Sequence, residues 1–574
     1  MPIDLSEKRT TRPSRLPWLK SITLVSALLV TTLFFSDESF HLQMSNPSIE
    51  ADITTNICPI GQTIRPSSFY KDNSSVEYII HSPDYRAESV AKLSGAVKIP
   101  TVVHDHMPTP EEDLSAWSEF PKFHAYLEKE FPLIHEKLVL EKVNSYGLVY
   151  TWKGSNESLK PILIAGHQDV VPVEESTKKD WLYEPFEGYF DGTNIWGRGS
   201  SDDKSMVIGT LQAIEKLLSE DFVPERGIVL AFGFDEEVSG PMGAASISKF
   251  LEERYGIDSF HVLIDEGGTA IGTIGGGVFA QPSVGEKGSI SLRISLTTPG
   301  GHSSVPPEHT NIGLISKLIS YIEDHPFSPI LGPENPTLNF VQCVAKYSDE
   351  YPKSLKRDIF AAAYDKVANS KVLKYLTGIK AYKFLVTTSQ AVDIIQGGVK
   401  VNALPEYVSF DINHRISIES SVNSTIEKIL DDVTTVAEEY GLGAYFEDQE
   451  LKSKTTLGFF NVSVLASLEP AKISPMDDQT WFTFAGSIKH IIEDYIYPNM
   501  TQPAIVSGSL NTGNTDTAWY WSLTDHIYRF KLSTMHGILE GGTHSVNEHT
   551  TIDNQLYLIA FMYEYIKSIQ EYDG

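Results

Sequence analysis

The stretch Ile162-Leu163-Ile164-Ala165-Gly166-His167-Gln168-Asp169 ends an apolar run with an imidazole and a carboxylate two residues apart. Strand side chains alternate, so His167 and Asp169 point the same way. An imidazole at the C-terminal end of a strand suits a metal, and a carboxylate beside it fixes the ring's orientation. Taken alone, a Gly-His-x-Asp is more often structural. Further along come Asp202 in Gly197-Arg198-Gly199-Ser200-Ser201-Asp202-Asp203, then Asp235-Glu236-Glu237, Asp265-Glu266 and His544. His167, Asp202, Glu237, Asp265 and His544 offer two imidazoles and three carboxylates. Such a set holds two divalent cations if one carboxylate bridges them. Zinc is the first expectation, and the oxygen-rich donors leave Co2+ and Mn2+ open. Glu236, beside a ligand, suits a general base toward a water whose pKa a metal lowers to roughly 7. Most Glu-Glu pairs sit on solvated loops, but this pair closes an apolar run in the same position as the other candidates.

The elements that must position these groups are legible around them. Gly147 to Trp152, Ile162 to Ala165, Gly227 to Phe234 and Phe260 to Ile264 read as buried strands. Val207, Leu211, Ile214 and Leu218 form a helical stripe, and 243–255 reads as a second helix. Strand, loop and helix repeat with acids at the strand ends. That describes an α/β fold with a doubly wound, largely parallel sheet, in which ligands collect at the C-terminal strand ends. From Gly285 the pattern changes. Ile290, Leu292, Ile294 and Leu296 alternate with polar residues, as in a half-exposed antiparallel strand. Helices follow at about 311–323 and 420–440, with further strands at Val399–Val401 and Val408–Ile412. We expect 81–284 and 455–574 to form one catalytic domain, with 285–454 inserted as an α+β lid or dimerisation domain. Residues 326–385 carry no interpretable motif.

The N-terminus reads differently. Basic residues precede an apolar run from Ser21 to Phe35, and Asp37 and Glu38 follow it. We expect a cytosolic tail at 1–19, a transmembrane signal anchor at 20–36 and a stalk at 37–80. The charge order makes this a single-pass type II protein with its large domain lumenal. A cleaved signal peptide is the competing reading. Sequons at Asn73, Asn156, Asn423, Asn461 and Asn499 are candidate glycosylation sites consistent with that topology.

At 574 residues, the chain exceeds one compact core. Acidic residues number 75 against 46 basic ones, a net charge of −29, which argues against nucleic acid as a partner. Cys58 and Cys343 are the two cysteines, too few for a cysteine zinc site, and the sequence does not decide whether they pair.

Taken in order, several motifs resemble one family. They are Gly166-His167-Gln168-Asp169-Val170-Val171-Pro172, Trp196-Gly197-Arg198-Gly199 through Asp202, and Asp235-Glu236-Glu237. Asp265-Glu266-Gly267, Gly301-His302-Ser303-Ser304 and His544-Ser545-Val546-Asn547-Glu548 complete the set. The family is the co-catalytic zinc metallopeptidases that include aminoacylase, carnosine dipeptidase, bacterial glutamate carboxypeptidase and, most closely, the fungal vacuolar carboxypeptidases. The resemblance covers nearly all of the chain after about residue 80. It implies two Zn2+ per subunit, His167 and Asp265 on one, Glu237 and His544 on the other, and Asp202 across both. Asp169 would then orient His167, and Glu236 would move the proton. His302 would stabilise the oxyanion, from a partner subunit in dimeric relatives, so a homodimer is open. Asn402 and Arg415 would hold the substrate's terminal carboxylate. Some relatives use Glu at the Asp265 position, which keeps Glu266 in play. Asp203 stands where relatives usually have an uncharged residue.

The resemblance implies a membrane-anchored carboxypeptidase for short peptides, in the vacuole. N-acyl amino acids are the alternative substrates, since an amidohydrolase would use the same site. An inactive binding protein of the same fold is the remote alternative. Its expected signature is a lost ligand or base, and none is lost.

Overall fold

In a computed structural model, residues 57–534 and 542–572 are described. The main sheet has eight strands, in the order Val139–Val143, Gly147–Trp152, Ile228–Gly233, Ile162–His167, Val262–Asp265, Ile527–Arg529, Ser283–Glu286 and Ser509–Asn511. The middle four are mutually parallel, and Ile162–His167 and Ile228–Gly233 are buried along their whole length. The outer pairs Val139–Val143/Gly147–Trp152, Gly147–Trp152/Ile228–Gly233 and Ser283–Glu286/Ile527–Arg529 run antiparallel. This corrects the expected largely parallel sheet to a mixed one. The reason is local: Asn144 and Ser145 both take positive φ (45° and 73°), forming a tight hairpin turn that forces an antiparallel neighbour. Helix Lys204–Ser219 buries Val207, Leu211, Ile214 and Leu218 as the stripe requires, and Ala244–Tyr255 covers other strands through Ile247 and Leu251.

A second sheet forms the lid, in the order Ser389–Gly397, Tyr407–Ile416, Gly288–Thr297, Phe459–Leu468, Gly443–Phe446 and Gln449–Lys452. Phe459–Leu468 pairs along Gly288–Thr297, so the lid sheet runs past residue 454. Ile290, Leu292, Ile294 and Leu296 face a core shared with helices Asn311–Asp324 and Val422–Glu439. The expected strand at Val399–Val401 is instead part of the turn after Ser389–Gly397, where both valines are fully exposed. Buried Glu286 and Arg529 pair at 3.0 Å where the chain enters the lid, and Thr515 and Thr517 also donate to Glu286.

The stretch 326–385 is helical, with Pro336–Tyr347, Lys353–Ala361, Lys366–Thr377 and Lys380–Lys383. It straps the lid to the main domain. Ser507 donates to Asn339 at 2.9 Å, and a disulfide joins Cys343 to Cys58. A cross-link closing so long a loop contributes about 2–5 kcal/mol. The described part of the expected stalk also runs against the main domain. Arg65 makes a bidentate pair with Asp494 at 2.6 and 2.7 Å, and the Phe69 ring meets His490 edge-on.

The expected anchor at 20–36 lies outside the described residues. Among the described residues, no helix is long and apolar enough to cross a membrane. The expected bilayer-spanning protein is corrected on that finding. The type II lumenal topology, the membrane as partner and the vacuolar placement have no spanning helix beneath them and are set aside. The apolar run itself is interrupted by Ser21, Thr23, Ser26, Thr31 and Thr32.

His490 is fully buried between Asp494 at 2.6 Å and Glu564 at 3.2 Å. Burial works against its charge, but the two carboxylates outweigh burial and raise its pKa. Burial likewise opposes ionisation of Asp494, yet His490 and Arg65 hold its pKa down at about 2. The histidine's contribution to stability is therefore full below its ordinary value and fades as pH rises through the raised one. The aspartate's contribution is present above its ordinary value and is lost as pH falls toward 2. The gap in thermal midpoint between wild type and His490→Asn should be widest between about pH 4 and 6.5 and should narrow in alkali. A gap that does not vary with pH would refute the pairing.

Candidate active site

Each candidate ligand sits where a strand gives way to a loop at one edge of the main sheet. His167 ends Ile162–His167 and is 1% exposed. Its Nδ1 faces the Asp169 carbonyl at 3.0 Å and the Asp169 Oδ1 at 3.3 Å. Its Nε2 faces Asp202 Oδ1 at 3.1 Å, Glu266 Oε1 at 3.2 Å and Glu236 Oε2 at 4.0 Å. The second Asp202 oxygen lies 3.2 Å from His544 Nε2, and that nitrogen lies 2.9 Å from Glu237 Oε2. Asp202 thus spans two groups of donors, His167 with Glu266 and His544 with Glu237.

The loops are shaped to allow this. Gly199, at φ +88°, sits where a Cβ would come within 2.6 Å of Val170. Gly267, at φ +110°, turns the chain directly after Glu266, where a Cβ would meet Asn511 at 2.6 Å. Asp169 has a second task besides orienting His167. Its two oxygens accept the N–H groups of Glu236 (3.2 Å) and Glu237 (3.0 Å), which fixes the turn carrying both acids.

Asp265 and Glu266 separate clearly. The parallel register pairs Ile164 with Ile264, which leaves Asp265 short of the level His167 reaches. Asp265 is buried; one oxygen accepts the Glu266 N–H at 2.8 Å and the other has no hydrogen-bond partner among the described residues. Glu266, one step further out, is the acid that faces His167. The glycine pair Gly267-Gly268 directly after Glu266, both at positive φ, marks in the sequence where the chain turns. Asp203 is buried rather than solvated. It lies 3.2 Å from Lys531 Nζ and close enough to His167 and Glu266 to share a cation with them.

The electrostatics of the site favour positive charge among its acids. Burial opposes the charge on His167, but Glu266, Asp169 and Asp202 raise its pKa well above normal. His544 is pushed up to about 10 by its bonds with Asp202 and Glu237. Burial, with further acids, pushes Glu236 well above the carboxylate range, and burial and Glu266 take Asp265 to about 7. The carboxylates draw protons onto both imidazoles because they need positive charge between them. Two overlapping groups of donors, His167/Asp202/Glu237 and His167/Asp203/Glu266, lie close enough to hold an ion; they share His167, while the two oxygens of Asp202 face His167 and His544. Imidazole and carboxylate donors suit zinc, and a shared carboxylate suits a pair of ions, so the residues fit two Zn2+.

The lid residues stand apart. His302, on the exposed two-residue strand Gly301–His302, bonds Ser304 Oγ at 2.7 Å. Asn402 is its neighbour through the Ser303 N–H, which donates to the Asn402 carbonyl at 3.3 Å. Neither makes a described contact with the metal-binding cluster. Arg415 is half-buried and donates to Asn514 of the main domain at 2.7 Å. Among the sequons, Asn73, Asn423 and Asn499 are exposed, while Asn156 and Asn461 are half-buried.

Residues 163–568 match the model of peptidase family M20/M25/M40. Carboxypeptidase S of Saccharomyces cerevisiae is 44% identical over 87% of this chain and 87% of its own length. The N-fatty-acyl-amino acid synthase/hydrolase PM20D1 of Mus musculus is 30% identical over 86% of this chain and 90% of its own. The crystal structure of human carnosine dipeptidase 1 shares the fold, with a TM-score of 0.58 at 14% identity, over 88% of this chain and 100% of that one.

The choice between neighbouring acids is open to a direct test. Glu266→Gln should weaken zinc binding by about 10-fold or more, whereas Asp265→Asn should retain both ions, read by equilibrium competition with a chelator. The reverse order would return the ligand role to Asp265. The chain belongs to peptidase family M20/M25/M40, and is a zinc metallocarboxypeptidase of that family.

Proposed function

We propose that this chain hydrolyses the C-terminal peptide bond of short peptides, with Glu236 as general base. The observation that carries the reading is the place of Glu236: half-buried, 4.0 Å from His167 Nε2, directly before Glu237 in the chain, and locked by the bond from its N–H to Asp169. His167 and Glu266 would hold one zinc, Glu237 and His544 the other, with Asp202 across both. When bound, the ions supply Lewis acidity toward the scissile carbonyl and the attacking water. Glu236 takes the proton from that water and hands it to the leaving nitrogen. Burial, the first cause of its raised pKa, suits both halves of that transfer, because a base that binds its proton too weakly cannot return it.

Asp169 keeps His167 and the Glu236 turn in one geometry. In this reading the lid supplies the rest. His302 stabilises the oxyanion as charge develops on the carbonyl, and Asn402 and Arg415 receive the substrate's terminal carboxylate, for which a planar guanidinium is suited. Both require the lid loop at 301–304 to approach the donor cluster.

A second reading, hydrolysis of N-acyl amino acids, is favoured by the 30% identity with the mouse N-fatty-acyl-amino acid synthase/hydrolase. The bond broken is again an amide next to a free carboxylate, so the same groups would serve.

Glu236→Gln should lower kcat on a blocked dipeptide such as carbobenzoxy-Gly-Leu by about 10²–10⁴-fold, with zinc content unchanged. Near-normal turnover would remove Glu236 as the base. Wild-type protein that leaves the dipeptide intact but cleaves acyl-amino acids would establish the second reading.

A further inference from the structure

The loop that carries Asp202 has no regular structure, and one carboxylate from near the far end of the chain holds it. Glu548 is fully buried. Its Oε1 accepts the N–H groups of Gly199 at 2.9 Å, Ser201 at 3.1 Å and Asp202 at 3.0 Å. Its Oε2 accepts from Arg198 Nη1 at 2.5 Å, and its backbone carbonyl accepts the Gly197 N–H at 2.8 Å. N–H groups converging on one oxygen make an anion nest, and bonds to an ionised acceptor are roughly twice as strong as neutral ones. Glu548 also lies four residues after His544. The segment between them is tied down by Asn547, whose Oδ1 accepts the Leu182 N–H at 2.6 Å, and His549, directly after Glu548, stacks on Trp196 at 4.2 Å.

We propose that Glu548 is a positioning residue for the two-cation site: by gathering the Gly199–Asp202 backbone it sets the reach of Asp202 to both His167 and His544. The proposal rests on the reading of Asp202 as the bridging ligand. The two Asp202 oxygens stand 3.1 and 3.2 Å from their histidines, and a loop displaced by about 1 Å would lose one side. A purely structural role, as the buried partner of Arg198, makes a different prediction. In that case, removing either member of the pair would have the same effect. If Glu548 positions the loop, its three backbone contacts matter more than the ion pair.

The intact chain separates these cases in three variants. Glu548→Gln keeps the side chain's shape but sets an amide against a ring of donors. Arg198→Gln breaks the ion pair and leaves the three N–H contacts. Glu548→Asp keeps the charge and shortens the reach. With folding verified by circular dichroism, the readouts are zinc affinity by chelator competition, the visible absorption of the Co2+-loaded protein, and kcat and KM separately. Glu548→Gln should weaken zinc by about 10- to 100-fold, change the Co2+ spectrum and lower kcat more than it alters KM, with Arg198→Gln losing several-fold less. A folded Glu548→Gln with wild-type zinc affinity and an unchanged Co2+ spectrum would overturn the proposal, as would equal losses in Glu548→Gln and Arg198→Gln. If Glu548→Gln does not fold, Glu548→Asp decides: weakened zinc with an altered spectrum supports positioning, and wild-type values on both overturn it. Wild-type protein that bound no zinc would instead remove the two-cation reading on which the proposal stands.

Discussion

A group of carboxylates at one sheet edge, buried or half-buried and mutually repelling, is the constraint on which the rest of this molecule depends. Asp202, Asp203, Glu236, Glu237, Asp265 and Glu266 converge there with His167 and His544. Isolated charges of this kind are costly to bury unless they are paired or bind metal. The cost shows in pKa values pushed upward on imidazoles and acids alike. The neighbouring acids raise the pKa of both imidazoles, and Glu236 and Asp265 are pushed up by burial and by Glu266. Two divalent cations answer that excess of negative charge directly.

The scaffold contributes position rather than reactivity. Parallel strands bring His167, the turn after Ile228–Gly233 and the Asp265-Glu266 pair to one edge at consecutive levels. Two carboxylates then act on backbone rather than on substrate. Asp169 collects the N–H groups of Glu236 and Glu237, and Glu548 collects those around Asp202. Both are buried, and both turn irregular loops into fixed ones. The lid is also restrained, by the Glu286–Arg529 pair at its entrance and by the helical stretch fastened through Cys343.

How much of this was legible in sequence follows from the range of each signal. The buried strands and the helix over Val207–Leu218 could be read locally, as could the candidate donors His167, Asp202 and Glu237 that the fold brings together, because periodicity and acids at strand ends are short-range patterns. The mixed sheet could not, since it depends on the backbone sign of Asn144 and Ser145 and on which strands become neighbours. The choice between Asp265 and Glu266 turns on a register offset with a strand about 100 residues away. The clamp by Glu548 spans 346 positions to Asp202. The apolar N-terminal run lies outside the described residues, and the two valines at 399 and 401 read as strand although they occupy a turn.

The most direct measurement is zinc stoichiometry. Chelator-stripped protein would be titrated with zinc while bound metal and the thermal midpoint are followed together. The account predicts two equivalents bound per chain, each raising the midpoint, because each ion replaces repulsion between buried acids with coordination. Binding of no zinc, or of zinc that leaves stability unchanged, would contradict it.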